Sequence, residues 1–143
     1  MEEVKVVYWS GTGNTEAMAA YVEKGAKDAG VNATSISVDA ASVDELAKEK
    51  GFALGCPSMG VEELEETTME PFVAELEGKV AGKQIVLFGS YGWGDGEWMR
   101  NWVERMESAG ATVVGGEGII VNGEPDDATI EQLMAAGKEL AQL

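Results

Sequence analysis

Five short runs rich in β-branched and aromatic residues alternate with five segments of helical pattern, and this alternation restricts the fold more than any other feature of the chain. Val4-Lys5-Val6-Val7-Tyr8-Trp9 reads as a strand. Glu16 to Ala29 follows as a helix, with Met18, Val22, Gly25, Ala26 and Ala29 at helical spacing and Gly30 as its stop. Ala33 to Val38 is a second strand. Ser42 and Glu45 form a capping box that opens a short helix to about Lys50. Phe52 to Gly55 is a short buried strand, and Pro71 to Leu76 a helix with proline in its first turn. Gln84 to Gly89 is an almost wholly apolar strand, and Glu97 to Ala109 a helix stopped by Gly110. Thr112 to Val121 is a strand region weakened by Gly115, Gly116 and Gly118. Asp126 to Gln142 is the last helix, with Ile130, Leu133, Met134 and Gly137 on one face.

Strands and helices in strict alternation predict an α/β fold: a five-stranded parallel sheet, doubly wound, with helices on both faces. No linker or repeat interrupts the pattern, and 143 residues suit a single domain over residues 1–143. Ligands of such sheets bind beyond the carboxyl ends of the strands, where the strand order reverses. The loops after strands one, three and four are therefore the ones to read closely.

Ser10-Gly11-Thr12-Gly13-Asn14-Thr15 joins the first strand to the first helix. Its glycines let backbone N–H groups turn inward, and three hydroxyls converge with a helix N-terminus on one small volume. That combination suits a phosphate. A bare glycine pair would be an ordinary turn; the density of hydroxyls directly after a strand argues for a ligand. The loop holds no Lys or Arg, unlike the triphosphate-binding P-loop, and it lacks the third glycine of the dinucleotide fingerprint. The expectation is a terminal monophosphate held by neutral donors.

Composition removes other chemistries. There is no histidine, which takes away the commonest metal ligand and general base and excludes a Ser-His-Asp triad; no metal site is expected. The single Cys56 excludes an internal disulfide and fits a reducing, cytoplasmic compartment. The acidic start, Met1-Glu2-Glu3, is unlike the basic end of a signal peptide, and no stretch approaches the length of a membrane span. A formal charge of −16 opposes binding to nucleic acid or anionic membranes.

Tyr8-Trp9-Ser10-Gly11-Thr12-Gly13-Asn14-Thr15-Glu16 resembles the phosphate loop of flavodoxins, in particular the short-chain clostridial type. Gly55-Cys56-Pro57-Ser58-Met59-Gly60 and Phe88-Gly89-Ser90-Tyr91-Gly92-Trp93-Gly94-Asp95-Gly96 are similar to the same subgroup. The resemblance implies the flavodoxin-like strand order 2-1-3-4-5 and one non-covalently bound flavin mononucleotide, FMN. It implies a low-potential one-electron carrier between redox proteins, cycling mainly between semiquinone and hydroquinone, and not an enzyme.

Residue by residue, the resemblance implies the following contacts. Ser10 to Thr15 hold the phosphate, and Pro57 and Ser58 contact the cofactor from the loop after strand three; Pro57 itself offers the phosphate no hydroxyl. Met59 lies on the inner face of the ring and Trp93 on the outer face. Backbone N–H groups of Gly92 and Trp93 approach the pyrimidine edge within the Ser90-Tyr91-Gly92-Trp93-Gly94 loop, and Ser90 faces the ribityl–phosphate end. Glu62 accepts the flavin N3–H. The peptide after Gly60 flips on reduction. Val61 departs from the polar residue expected after that glycine and is stiffer.

Glu62, Glu63, Glu65, Glu66, Glu70, Glu75 and Glu77 form an acidic stretch without a base. It is either a solvated face or a docking surface for basic redox partners. Trp98 and Trp102, four apart on a helix, are expected in the core, as are Trp9 and Cys56. The chain is expected to be a monomer. The alternative is an FMN-dependent NAD(P)H–quinone reductase of related fold, disfavoured by the short loops and the expected unsplit fifth strand. A receiver domain would need clustered Asp residues where Trp9-Ser10 and Gly55-Cys56 stand.

Overall fold

The computed structural model describes residues 2–143, so Met1 of the acidic start lies outside the described residues. The strands are β1 (Glu3–Tyr8), β2 (Asn32–Ser37), β3 (Gly51–Gly55), β4 (Gln84–Tyr91), β5 (Thr112–Val113) and β6 (Ile119–Asn122). The helices are α1 (Asn14–Asp28), α2 (Val43–Leu46), α3 (Met69–Leu76), α4 (Glu97–Ser108) and α5 (Asp127–Ala141). All strand pairings are parallel, in the order β2-β1-β3-β4-β5, with β6 also beside β4.

The expected fifth strand, Thr112 to Val121, is in fact two segments. Both lie against β4, and a short 3-10 turn over Val114–Gly116 separates them. Gly115 and Gly116 take φ of 79° and 78°, a left-handed conformation that glycine adopts without a Cβ clash and that a strand cannot contain. The glycines flagged as weakening the strand therefore break it. The short helix expected to reach Lys50 ends at Leu46, its start held by Ser42 Oγ accepting the Glu45 N–H.

Alternate strand residues feed two cores. Val7, Phe52, Leu54, Ile85 and Leu87 pack under α2, α3 and α4, with Phe72, Leu76, Trp98, Trp102 and Met106. Val4, Val6, Ala53, Val86 and Phe88 pack under α1 and α5, with Met18, Val22, Leu133 and Leu140. Central β3 is buried along its whole length, as its apolar run requires. Helices α1 and α5 approach so closely that a Cβ at Gly25 would collide with the Met134 carbonyl, and one at Gly137 with the Val22 carbonyl. No helix among the described residues is long and apolar enough to cross a membrane. Parallel pairing brings the carboxyl ends of β1, β3, β4 and β6 to one edge of the sheet, and their loops meet there.

Candidate functional site

A cleft of about 290 Å³ opens at that edge. Gly11, Thr12 and Asn14 line it from the first loop, Pro57, Ser58 and Met59 from the loop after β3, and Ser90, Tyr91 and Gly92 from the end of β4. A second hollow of about 330 Å³ lies between α4 and residues 116–120, lined by Met99, Val103 and Ile120 with Arg100 and Glu117. It has no hydroxyls, and the first-turn N–H groups of Gly96 and Glu97 beside it are already taken by the Glu62 carboxylate.

The first loop is folded around one hydroxyl. Ser10 Oγ accepts the N–H groups of Gly13 (3.1 Å) and Glu16 (3.2 Å). Gly13, at φ 98°, turns the chain into α1 with no side-chain cap. The first-turn N–H groups of Asn14 and Thr15 have no carbonyl four residues back inside the helix, so they remain available to a ligand. Thr15 Oγ1 is fully buried and has no hydrogen-bond partner. A buried hydroxyl left unpaired costs about 1–3 kcal/mol, so its place at the head of α1 marks a missing acceptor. The only other such atom among the described residues, Trp102 Nε1, lies in the core under α4.

Hydrogen bonds strap the remaining loops together. The Ser58 N–H donates to the Ser90 carbonyl at 3.1 Å. Ser90 Oγ donates to the Gly123 carbonyl at 2.6 Å, and the Gly123 N–H to the Tyr91 carbonyl at 3.0 Å. Beneath them the Trp98 indole donates to the Cys56 carbonyl, and its ring lies 5.5 Å from that of Tyr91. Burial pushes the Cys56 thiol up to about 12, so it is an inert part of this floor.

Residues 59–63 form a tight turn closed by paired backbone bonds between Met59 and Glu63, at 2.8 and 2.9 Å. Gly60 lies at φ 52° and Glu62 at φ 53°; Glu62 is the only non-glycine residue in the left-handed region among those described. The Glu62 carboxylate spans to the next loop. Its Oε1 accepts the N–H groups of Gly96 (3.1 Å) and Glu97 (3.0 Å), which caps α4. Gly94 leaves it room, since a Cβ there would sit 2.5 Å from Glu62 Cδ. Val61 and Trp93, at the tips of the two loops, stand largely in water.

The structure thus gathers nine of the expected contacts around the cleft, with Ser10, Gly13 and Thr15 shaping the first-loop end of it from behind. Gly60, Val61, Glu62, Trp93 and Gly94 lie beyond its lining, on the two neighbouring loops. Sequence reasoning missed two lining residues. Trp9, expected in the core, packs against it with one part and lines the cleft with the other. Gly123 follows β6, and the same carboxyl-end rule would have pointed to it had the fifth strand been bounded correctly.

The acidic stretch is not uniform. Glu65 is buried, its carboxylate accepting N–H groups of Thr67, Thr68 and Met69 and the Thr67 hydroxyl. Burial pushes its pKa up, but these hydrogen bonds together outweigh burial and hold it down to about 2. Glu70 forms a two-pronged pair with Arg105, which also binds Glu77. One carboxylate oxygen from each of Glu62, Asp95 and Glu97 lies within 4.8 Å of the other two, beside the two exposed apolar tips.

The flavodoxin family model matches residues 6–137. The chain is 52% identical over 125 residues to a flavodoxin of Megasphaera elsdenii, covering 87% of this chain and 90% of that one. It is 47% identical over 140 residues to a flavodoxin of Clostridium beijerinckii, covering 98% of this chain and all of that one. The solution structure of two-electron reduced Megasphaera elsdenii flavodoxin superposes with a TM-score of 0.89 at 47% identity, covering 98% of this chain and 99% of that one.

Proposed function

The chain belongs to the flavodoxin family of FMN-binding electron carriers, and from that premise we propose that it holds one FMN non-covalently in the cleft at the carboxyl edge of its sheet and carries single electrons at low potential between redox proteins. It is an electron carrier rather than an enzyme. The observation that carries the placement is the unpaired, buried Thr15 hydroxyl at the head of α1. A phosphate supplies the acceptor that this hydroxyl lacks. The first-turn amides and the helix dipole favour the anion without a cationic side chain.

Bound FMN supplies a ring that accepts and releases electrons one at a time. The residues around it do the rest. Ser10 shapes the cradle, and Thr12, Asn14 and Thr15 donate into it, with Gly11 and Gly13 permitting the close approach. Pro57 and Ser58 close the phosphate end. Met59 and Trp93 offer the thioether and the indole that suit a flat ring, and Tyr91, Gly92 and Gly94 set the loop that presents Trp93. Gly60 lets the peptide it shares with Val61 reorient. Glu62 has one oxygen engaged on α4 and a second that fits a ring N–H. Negative charge around the cleft disfavours further negative charge on the ring and so lowers its potential.

The excess of 26 acidic over 10 basic residues supports partners with basic docking faces. We place the protein in the cytoplasm as a monomer, the one free cysteine being consistent with a reducing compartment. The test is the visible spectrum of the purified protein during stepwise dithionite reduction. Two flavin bands that bleach through a one-electron-reduced form support the reading; a colourless protein that rejects added FMN overturns it.

A further inference from the structure

The cations of the chain are not spread evenly. Of its ten lysine and arginine side chains, Lys5, Lys24, Lys27, Lys79, Arg100 and Arg105 stand in ion pairs with carboxylates. Among the described residues Lys48, Lys50, Lys83 and Lys138 stand in none, and the first three of these line one hollow of about 440 Å³. It opens between residues 48–50 and 81–84, at the amino ends of β3 and β4, where Gly51 is paired with Gln84. That is the end of the sheet opposite the cleft. Its only acidic side chain, Glu49, is already paired with Lys5 at 3.3 Å. Lys83 Nζ donates to the Ala47 and Glu49 carbonyls, both at 2.7 Å. Those bonds fix the ammonium group without cancelling its charge, and they cover carbonyl oxygens that would repel an anion. Three ammonium groups in one hollow repel one another, in a chain of charge −16 where carboxylates to pair them are abundant.

We propose that this hollow is a second anion site, for a small phosphate-class anion carrying two or more charges, such as inorganic pyrophosphate. Lysine meets such a ligand as a point charge, and ammonium groups from two segments of the chain suit two linked phosphates. No aromatic side chain lines the hollow, so nothing there would stack on the base of a nucleotide. A large acidic partner would bring its charge against the rest of this acidic chain. A compact anion meets the three ammonium groups well inside the screening length of about 8–10 Å. The site differs in kind from the first-loop cradle, which has hydroxyls, backbone amides and a helix start but no lysine. The two lie at opposite ends of the parallel strands, so this anion does not compete with the phosphate of FMN, and the proposal does not rest on the flavin reading.

The test is a titration of the FMN-loaded protein with sodium pyrophosphate, followed by ¹H–¹⁵N NMR at an ionic strength held constant with sodium chloride. The expected result is a saturating response to one pyrophosphate per chain, with the largest amide shifts at residues 48–51 and 81–84. Lys48→Gln combined with Lys50→Gln changes two exposed side chains and leaves Lys83 on its carbonyls. It should weaken binding roughly tenfold, the worth of two exposed charge pairs. Lys24→Gln combined with Lys27→Gln removes the same charge from α1 and should leave the affinity in place. Shifts that grow without saturating, or that spread over lysines throughout the chain, overturn the proposal. Equal weakening in the two double variants also overturns it, because the attraction would then follow net charge and not this hollow. Saturating shifts centred on residues 10–15, with release of FMN, overturn it too, since they put the anion in the cradle instead.

Discussion

Thr15 carries a hydroxyl that the fold shuts away from water and leaves without a bond. Replacing it with valine removes that unpaired group while keeping the shape, so Thr15→Val should leave the flavin-free protein as stable as wild type or slightly more stable in urea unfolding. The same change should weaken FMN binding roughly 10- to 100-fold, the worth of one hydrogen bond to a charged group, measured by fluorescence titration. Loss of stability without loss of affinity would make Thr15 a packing residue. Glu65 shows the opposite economy, a buried carboxylate with every lone pair used. Its pKa falls from 4.5 to about 2 on folding, so its stabilisation is complete above about pH 4.5 and disappears as pH drops towards 2. Glu65→Gln should cost about 1.5–3 kcal/mol at pH 7 and flatten the loss of stability between those two values, seen in urea midpoints measured across that range.

At the scale of elements, the lock between residues 59–63 and α4 ties the two loops beside the cleft together. Glu62 holds a left-handed backbone that costs about 1–3 kcal/mol in other contexts, and its cap on α4 helps offset it. Glu62→Ala should destabilise the flavin-free protein by about 1 kcal/mol and speed amide exchange at Gly96 and Glu97, visible by NMR. Helices α1 and α5 make a different demand. Gly137→Ala pushes a methyl into the Val22 carbonyl and should cost about 1–3 kcal/mol in chemical unfolding. These contacts also set the limit of what sequence conveys. Helix and strand positions were legible because hydrophobic period and caps are local, and α1, α4 and α5 start and stop within two residues of their expected bounds. The break in the fifth strand was not, because three glycines weaken a strand and break it with the same letters. The partners of Glu62 and Glu65 were not legible either, since both depend on loops brought together only by the fold. Trp9 was assigned to the core on burial at the end of a strand, and a side chain there can serve the core and the cleft at once.

For the whole molecule, a charge of −16 is carried by a fold whose cleft is lined by no cationic side chain, so under the proposed reading FMN is held by backbone amides, hydroxyls and one helix start. Because FMN would bind only the folded chain, excess cofactor should raise the thermal midpoint in proportion to the logarithm of its concentration over Kd. The claim that the neutral cradle at Ser10–Thr15 is a phosphate site is tested most directly by titrating the flavin-free protein with FMN and, separately, with riboflavin, which has the same ring and no phosphate. The account predicts one FMN per chain, much weaker riboflavin binding, and a gap between the two that narrows in Thr15→Val. Equal affinity for the two flavins in the wild-type protein would contradict it.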